Sequence, residues 1–282
     1  MAKCVWRCAA LGIFLMLAAG RVSAQQESLE QQFAALPWQA YPAVGQIAAV
    51  AQISLAKDLR FLDAAGTSRF LELNGNPPRS DEFALVSTTG RWFAIFDFDK
   101  SGYVKDDQSL DPAELLSVLK KQNEGGMAER RRLKLTVLHL DGWAIEPHYD
   151  GETHRLEWGT RLSGDDGKIV VNYTVRLLSR SGVMSAILVS APETLDADIK
   201  EFKTALRGFD FKSGEGYSEF RQGDRVAQYG LAALIVGGAA AVATSSGLMK
   251  GLGKFLAYGA FAAIAAVAAF FKRVFRRKPR QQ

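Results

Sequence analysis

Three kinds of apolar spacing divide the chain: unbroken runs at both ends, two-residue alternation in several inner stretches, and helical spacing in a few more. Alternation predicts strands, because successive side chains point to opposite faces of a sheet. It is clearest over 168–178, where Ile169, Val171, Tyr173, Val175 and Leu177 fall on one side and Val170, Asn172, Thr174 and Arg176 on the other. A turn from Ser179 to Gly182 leads to a returning strand, Val183 to Ser190. Ala48 to Leu55 predicts a further strand with Arg60 to Leu62 as its short partner, and Leu133 to Leu140 another. Phe83 to Ser87 and Arg91 to Phe98 predict a hairpin closed by Thr88-Thr89-Gly90.

Helical spacing over Ala64 to Leu73 ends at the breaker Asn74-Gly75-Asn76-Pro77-Pro78. Asp111-Pro112 predicts a helix start, Asp as cap and Pro in the first turn, with Leu115, Leu116 and Leu119 on one face. Pro192 to Leu206 predicts an amphipathic helix that packs Phe202, Leu206 and Phe209 on the sheet. The sum is an α+β fold, an antiparallel or mixed sheet with flanking helices, followed by a C-terminal membrane helix or helices.

The ends set the organisation. Lys3 and Arg7, the apolar run Ala9 to Ala19 and the small residues Val22-Ser23-Ala24 predict a signal peptide over 1–24. An uncleaved signal anchor is the alternative, and either version exports the domain behind it. An arm over 25–45 leads into a domain over 46–212, then a linker over 213–225. Residues 226–271 form a Gly/Ala-rich membrane-associated region, with 255–271 the favoured span and a two-helix hairpin the alternative. Lys272, Arg273, Arg276, Arg277, Lys278 and Arg280 crowd the tail over 272–282, which the positive-inside rule assigns to the cytoplasm. The reading is a bacterial inner-membrane protein whose domain faces the periplasm. Its partners are the lipid bilayer, an envelope protein or glycan, and a second copy of the chain through Ala233, Gly237 and Ala241, small residues at every fourth position.

Charge sharpens that division. All 30 acidic residues but only 24 of the 35 basic ones lie between Gln25 and Arg225, so the domain is near −6 while the ends carry the positive excess. Nucleic-acid binding is therefore not expected. Arg130-Arg131-Arg132 with Lys134 is a local exception, read as a solvated loop or strand edge, with headgroup or polyanion contact as the alternative. Both cysteines, Cys4 and Cys8, lie in the signal, which leaves the mature domain without a thiol nucleophile, a disulfide or a cysteine metal site.

Candidate chemistry is sparse. Asp97, Asp99 and Ser101, with Gly102 and Val104, match the first two thirds of a calcium-binding loop, but Lys105 and Gln108 stand where the last third needs oxygen ligands. No cofactor is predicted, and calcium is the alternative. His139, His148 and His154 match no metal-ligand spacing. Glu146, His148 and Asp150 are the candidate acid–base groups of a hydrolase. Trp143, Tyr149 and Trp158, in a stretch read as loop-rich, are the candidate aromatic platform for a sugar or peptide, or else an irregular piece of core.

A resemblance covers nearly the whole mature chain. Asp141-Gly142-Trp143, Pro147-His148-Tyr149-Asp150, Leu156-Glu157-Trp158, Val171-Asn172-Tyr173, Gly102-Tyr103-Val104 with Asp106-Asp107, and the run from Gly223 to Leu231 resemble an uncharacterised bacterial family of membrane-anchored proteins, a domain of unknown function. The resemblance implies a membrane anchor and carries no catalytic residue over. Two functions are weighed: a non-enzymatic binding or scaffold component of the cell envelope, and an envelope hydrolase working from 146–157. Asp150 and His148 exposed in a cleft beside Trp143 would favour the hydrolase; the same groups paired into the fold would favour the binding protein.

Overall fold

The computed structural model describes residues 28–237. The signal peptide, Ala241, the span 255–271 and the basic tail lie outside the described residues. Among those described, no helix is long and apolar enough to cross a membrane.

In chain order the elements are α1 (Leu29–Ala34), β1 (Gln39–Ala40), β2 (Val44–Ile47), β3 (Ala51–Ser54), β4 (Leu59–Leu62), α2 (Ala64–Leu73), β5 (Glu82–Ser87), β6 (Phe93–Asp99) and α3 (Pro112–Arg132). Next come β7 (Leu138–Asp150), β8 (Arg155–Gly164), β9 (Ile169–Leu178), β10 (Val183–Ser190), α4 (Leu195–Ala205), β11 (Phe209–Phe211) and α5 (Leu231–Val236). Eight strands form one sheet in the order β1-β4-β5-β6-β10-β9-β8-β7, every neighbouring pair antiparallel. A small sheet, β11-β3-β2, lies apart from it. The α+β reading with an antiparallel sheet holds.

The large sheet buries both faces. One carries the small sheet and α4 over Phe61, Phe96, Tyr173, Val175, Leu188 and Phe202. The other carries α1, α2, α3 and α5 over Phe70, Phe93, Leu138, Leu156 and Leu231. The two hairpins read from alternation, β5–β6 and β9–β10, pair as expected. Helix α2 spans Ala64–Leu73, as its spacing predicts, with Asp63 accepting a hydrogen bond from Gly66 N at 2.8 Å as cap. Asp111 caps α3 by accepting from Ala113 N and Glu114 N.

Five expectations need correction. The strand read over Ala48 to Leu55 is shorter, β3 alone, because residues 48–50 form the turn of a tight hairpin with β2, Ala48 taking φ +50°. The segment read as its partner, β4, joins the large sheet between β1 and β5, because Phe61 and Leu62 are both fully buried and so need cover on two faces. Arg130-Arg131-Arg132 is the last turn of α3, not a loop or strand edge, since cations favour the negative end of a helix dipole. Strand β7 accordingly starts at Leu138 rather than Leu133. The stretch read as loop-rich is the long hairpin β7–β8, whose register shifts at Leu140/Gly142, Trp143/Ile145 and Ile145/His148; such bulges erase the two-residue period that identifies a strand.

The arm and the linker are also parts of the fold. In the arm Phe33 and Leu36 are buried and β1 pairs with β4. In residues 213–225, Asp224 takes two hydrogen bonds from Arg180, at 2.6 and 2.8 Å, and the Tyr217 hydroxyl donates to Val104 O at 2.8 Å. Ala233 is buried inside the domain and Gly237 ends α5 with φ +88°, so these two residues present no free helical face.

Candidate functional site

Two helices pack at opposite ends of their face of the large sheet. Helix α2 packs over β5 and β4, and α3 over β7 at the far edge. Between them lie β6, β10 and β9. An inner strand facing a helical layer is normally apolar, yet β9 presents Asn172, Thr174 and Arg176 there, β10 presents Ser185, and β6 presents Asp97. Glu82 on β5 continues the row, for Glu82, Asp97, Ser185 and Arg176 face one another in register across four adjacent strands.

Some buried polar atoms in and beside this row have no hydrogen-bond partner. Among the described residues, Asn172 Oδ1, Glu82 Oε2, Arg176 Nε and, at the end of α2, Asn76 Oδ1 are buried and make no hydrogen bond. Leaving a buried polar atom unpaired costs about 1–3 kcal/mol, so a group of such atoms on one surface marks a place where something else supplies the bonds. Asn172 and Glu82 are each 4% exposed, and Ser185, between Asp97 and Arg176, is buried too. Asp97, Arg176 and Ile187, two residues along β10 from Ser185, are half-buried and leave a gap in the cover that is reached from outside.

The electrostatics derive from that burial. Desolvation pushes the Glu82 carboxyl up, although Arg79 holds its other oxygen at 2.9 Å. It pushes Asp97 up as well, against the pull of Arg176 and Arg79 and with the help of Asp99 and Asp81. The Arg176 guanidinium is pulled down by burial, against Asp97, Asp99 and Tyr229. Its flat face lies 5.7 Å from the centre of the Trp158 ring, and Tyr229, from the chain leading into α5, donates to Asp99 at 3.0 Å. Arg176 can donate to an anionic or carbonyl group, and the neighbouring carboxyls of Glu82 and Asp97 can accept from a cation or hold a proton.

The residues singled out by sequence divide three ways. Asp97 and Trp158 belong to the row, and Asp99 borders it. Ser101 is buried with its hydroxyl turned to Asp99 O, and Gln108 accepts from Ala232 N at the start of α5, so the calcium-like loop serves as a brace. No cluster of metal-ligating side chains occurs among the described residues. Asp150 closes the β7–β8 turn, accepting from Glu152 N and the Thr153 hydroxyl, while Glu146 and His148 are exposed on β7. They do not form a cleft with Trp143, whose indole N–H donates to Pro112 O on the helical side.

Tyr149 leads to a second cluster. Its hydroxyl donates to Asp106 at 2.6 Å and lies 3.3 Å from His154 Nδ1. Burial works against ionisation of Asp106, but hydrogen bonds from Tyr149 and its own backbone, with His154 nearby, outweigh it and hold the carboxyl low. The rings of His154, Tyr217, Tyr103 and Phe220 stack in sequence with centroids 4.3–4.4 Å apart. His154 holds φ +52°, an unfavourable backbone for a non-glycine residue, which keeps its ring in this stack.

The sequence reading missed Glu82, Ser185 and Arg176. The signal available for Arg176 was the polar side of 168–178: Asn172, Thr174 and Arg176 alternate with apolar residues on a strand that becomes central.

No curated protein matches the chain. Among solved structures it is similar to the cyanobacterial PsbP protein (CyanoP) of Synechocystis sp. PCC 6803, at 10% identity and TM-score 0.33 over 62% of this chain and 92% of that one. It is also similar to the Ran-binding protein Mog1p of Saccharomyces cerevisiae, at 11% identity and TM-score 0.34 over 63% of this chain and 97% of that one. Likenesses this distant carry no argument about function. A family model described as protein of unknown function (DUF2167) matches residues 40–269, including most of the elements that build the gap and the tyrosine cluster, and the chain belongs to that family.

Proposed function

We propose that this is a binding or scaffold protein of the bacterial envelope, held in the inner membrane by its C-terminal segments, with the domain on the periplasmic side and a ligand or partner segment received in the gap over β6, β10 and β9. The observation that carries the binding reading is the row of buried polar atoms without partners, since no fold needs them. The hydrolase reading from 146–157 loses support, because Asp150 is spent on a turn and Trp143 faces away from His148.

Occupancy tests the gap. A cysteine replacing Ile187, at its floor, reacts slowly with a small thiol reagent in cells and at least about tenfold faster in the purified, washed full chain if a bound group shields it. Equal rates in the two settings count against the reading. Topology is tested separately with a membrane-impermeant reagent and single cysteines at the exposed Ala197 and at Gln282. Labelling of Ala197→Cys alone, in cells with a permeabilised outer barrier, supports a domain outside and a tail inside; labelling of both contradicts a single span.

A further inference from the structure

Helix α3 is two different helices joined end to end. Its first half is bound to the domain: Leu115, Leu119 and Asn123 are buried, and Asn123 bonds both Leu138 O and Leu140 N at 3.0 Å. Beyond Asn123, through Arg132, no residue of the helix is buried, and Gly125 and Gly126 have open space around them. The helix ends with Leu135 N bonded to Arg130 O and Lys134 N to Arg131 O, Lys134 taking φ +56°. Around that end Arg131, Arg132, Leu133 and Lys134 are all exposed, Leu133 at 38%. Arg130 is half-buried and its Nε donates to Thr136 O. Arg132 pairs with Glu129, and Glu124 is the other acid on this half, so positive charge is in excess on a domain that is negative as a whole.

The place where the chain leaves the described fold is fixed to the same helix. Gln122 Nε2 donates to Val236 O at 2.8 Å, and Gly237 comes next. With a rise of about 1.5 Å per residue, Arg130 to Lys134 begin roughly 12 Å along the helix from that exit. The chain therefore leaves the described fold, toward the membrane-associated region, beside the second, unburied half of α3.

The geometry points to a lipid contact: the second half of α3 lies on the membrane that anchors the chain, with Arg131, Arg132 and Lys134 among anionic phospholipid headgroups and Leu133 at the edge of the acyl region. This rests on the membrane-anchored reading above. Each cation near an anionic surface favours contact, and an apolar residue between them adds burial. A domain so held has a fixed tilt, with the gap over β6, β10 and β9 at a set angle to the membrane.

The test uses the full chain, with Cys4 and Cys8 replaced by Ser where they are retained, reconstituted into vesicles of phosphatidylcholine alone or with phosphatidylglycerol. An environment-sensitive dye is placed on Leu133→Cys, and on Ala197→Cys as control. The expected result is a blue shift and quenching by lipid-borne quencher at position 133 in the anionic vesicles only. Reversing Arg131, Arg132 and Lys134 to Glu lowers that residency roughly a hundredfold or more. An unchanged dye spectrum in anionic vesicles, while the chain still floats with them after alkaline washing, overturns the lipid contact and leaves the anchor standing. A chain that washes off both kinds of vesicle overturns the anchor itself, and the contact with it.

Discussion

The two faces of the large sheet are built on opposite principles. On the α4 side, large side chains such as Trp92, Phe96, Tyr173 and Phe202 are at most 2% exposed, and the one buried acid, Asp198, accepts from Arg91, Ser190 and Thr194. On the helical side, the same central strands carry Asn172, Thr174, Arg176, Ser185 and Asp97, and two of their buried polar atoms, Asn172 Oδ1 and Arg176 Nε, have no hydrogen-bond partner. One face satisfies the fold. The other leaves bonds open, and interiors tolerate that where another molecule completes them.

Substitutions can break or sharpen this contrast. The largest effects belong to the α4 face: Phe202→Ala, which empties space among Trp92, Phe96 and Phe209, and Asp198→Ala, which leaves Ser190, Thr194 and one side of the Arg91 guanidinium without their acceptor, should each lower stability by about 3–5 kcal/mol in urea unfolding of the full chain. The opposite sign is expected across the sheet. Asn172→Val removes a buried amide oxygen that has no donor and keeps a strand-forming side chain, so stability should rise by about 1–3 kcal/mol. A loss of that size would mean the row serves the fold, and the contrast would fail.

A smaller effect depends on pH. Burial raises the Glu82 carboxyl in the folded state, so the folded protein binds its proton more tightly than the unfolded chain does. Wild-type stability therefore falls as pH rises through the window between the ordinary carboxylate value and the raised one. Glu82→Gln imitates the protonated form, and its advantage should appear above that window and vanish below it. Unfolding curves at acidic and neutral pH check this; a variant less stable than wild type at neutral pH would show that the bond from Arg79 outweighs burial.

Sequence made much of the framework legible. Helix α2, the cap of α3, and the hairpins β5–β6 and β9–β10 came from spacing and breakers, since each is set by neighbours a few residues away. What stayed hidden depends on distant contacts. Bulges concealed β7–β8, and only the sheet order shows that β4 sits between β1 and β5. The arm and the linker looked polar enough to be free, yet single residues such as Phe33, Tyr217 and Asp224 tie them down. The candidate site was half legible: Asp97 and Trp158 were singled out, for calcium and for an aromatic platform, but the meeting of Asp97 with Arg176 needs β6 to join the β8–β10 run from far away in sequence.

The measurement that bears most directly on the account is the unfolding free energy of Arg176→Met set beside that of Asp198→Ala in the same full-length chain. Arg176 is a half-buried cation whose buried Nε has no hydrogen-bonding partner, and Asp198 a fully buried anion with three donors. A domain that reserves its helical face for a ligand loses nothing, or gains, when methionine replaces Arg176, and loses about 3–5 kcal/mol when alanine replaces Asp198. Comparable losses at both positions would contradict the account, because both charges would then be holding the fold.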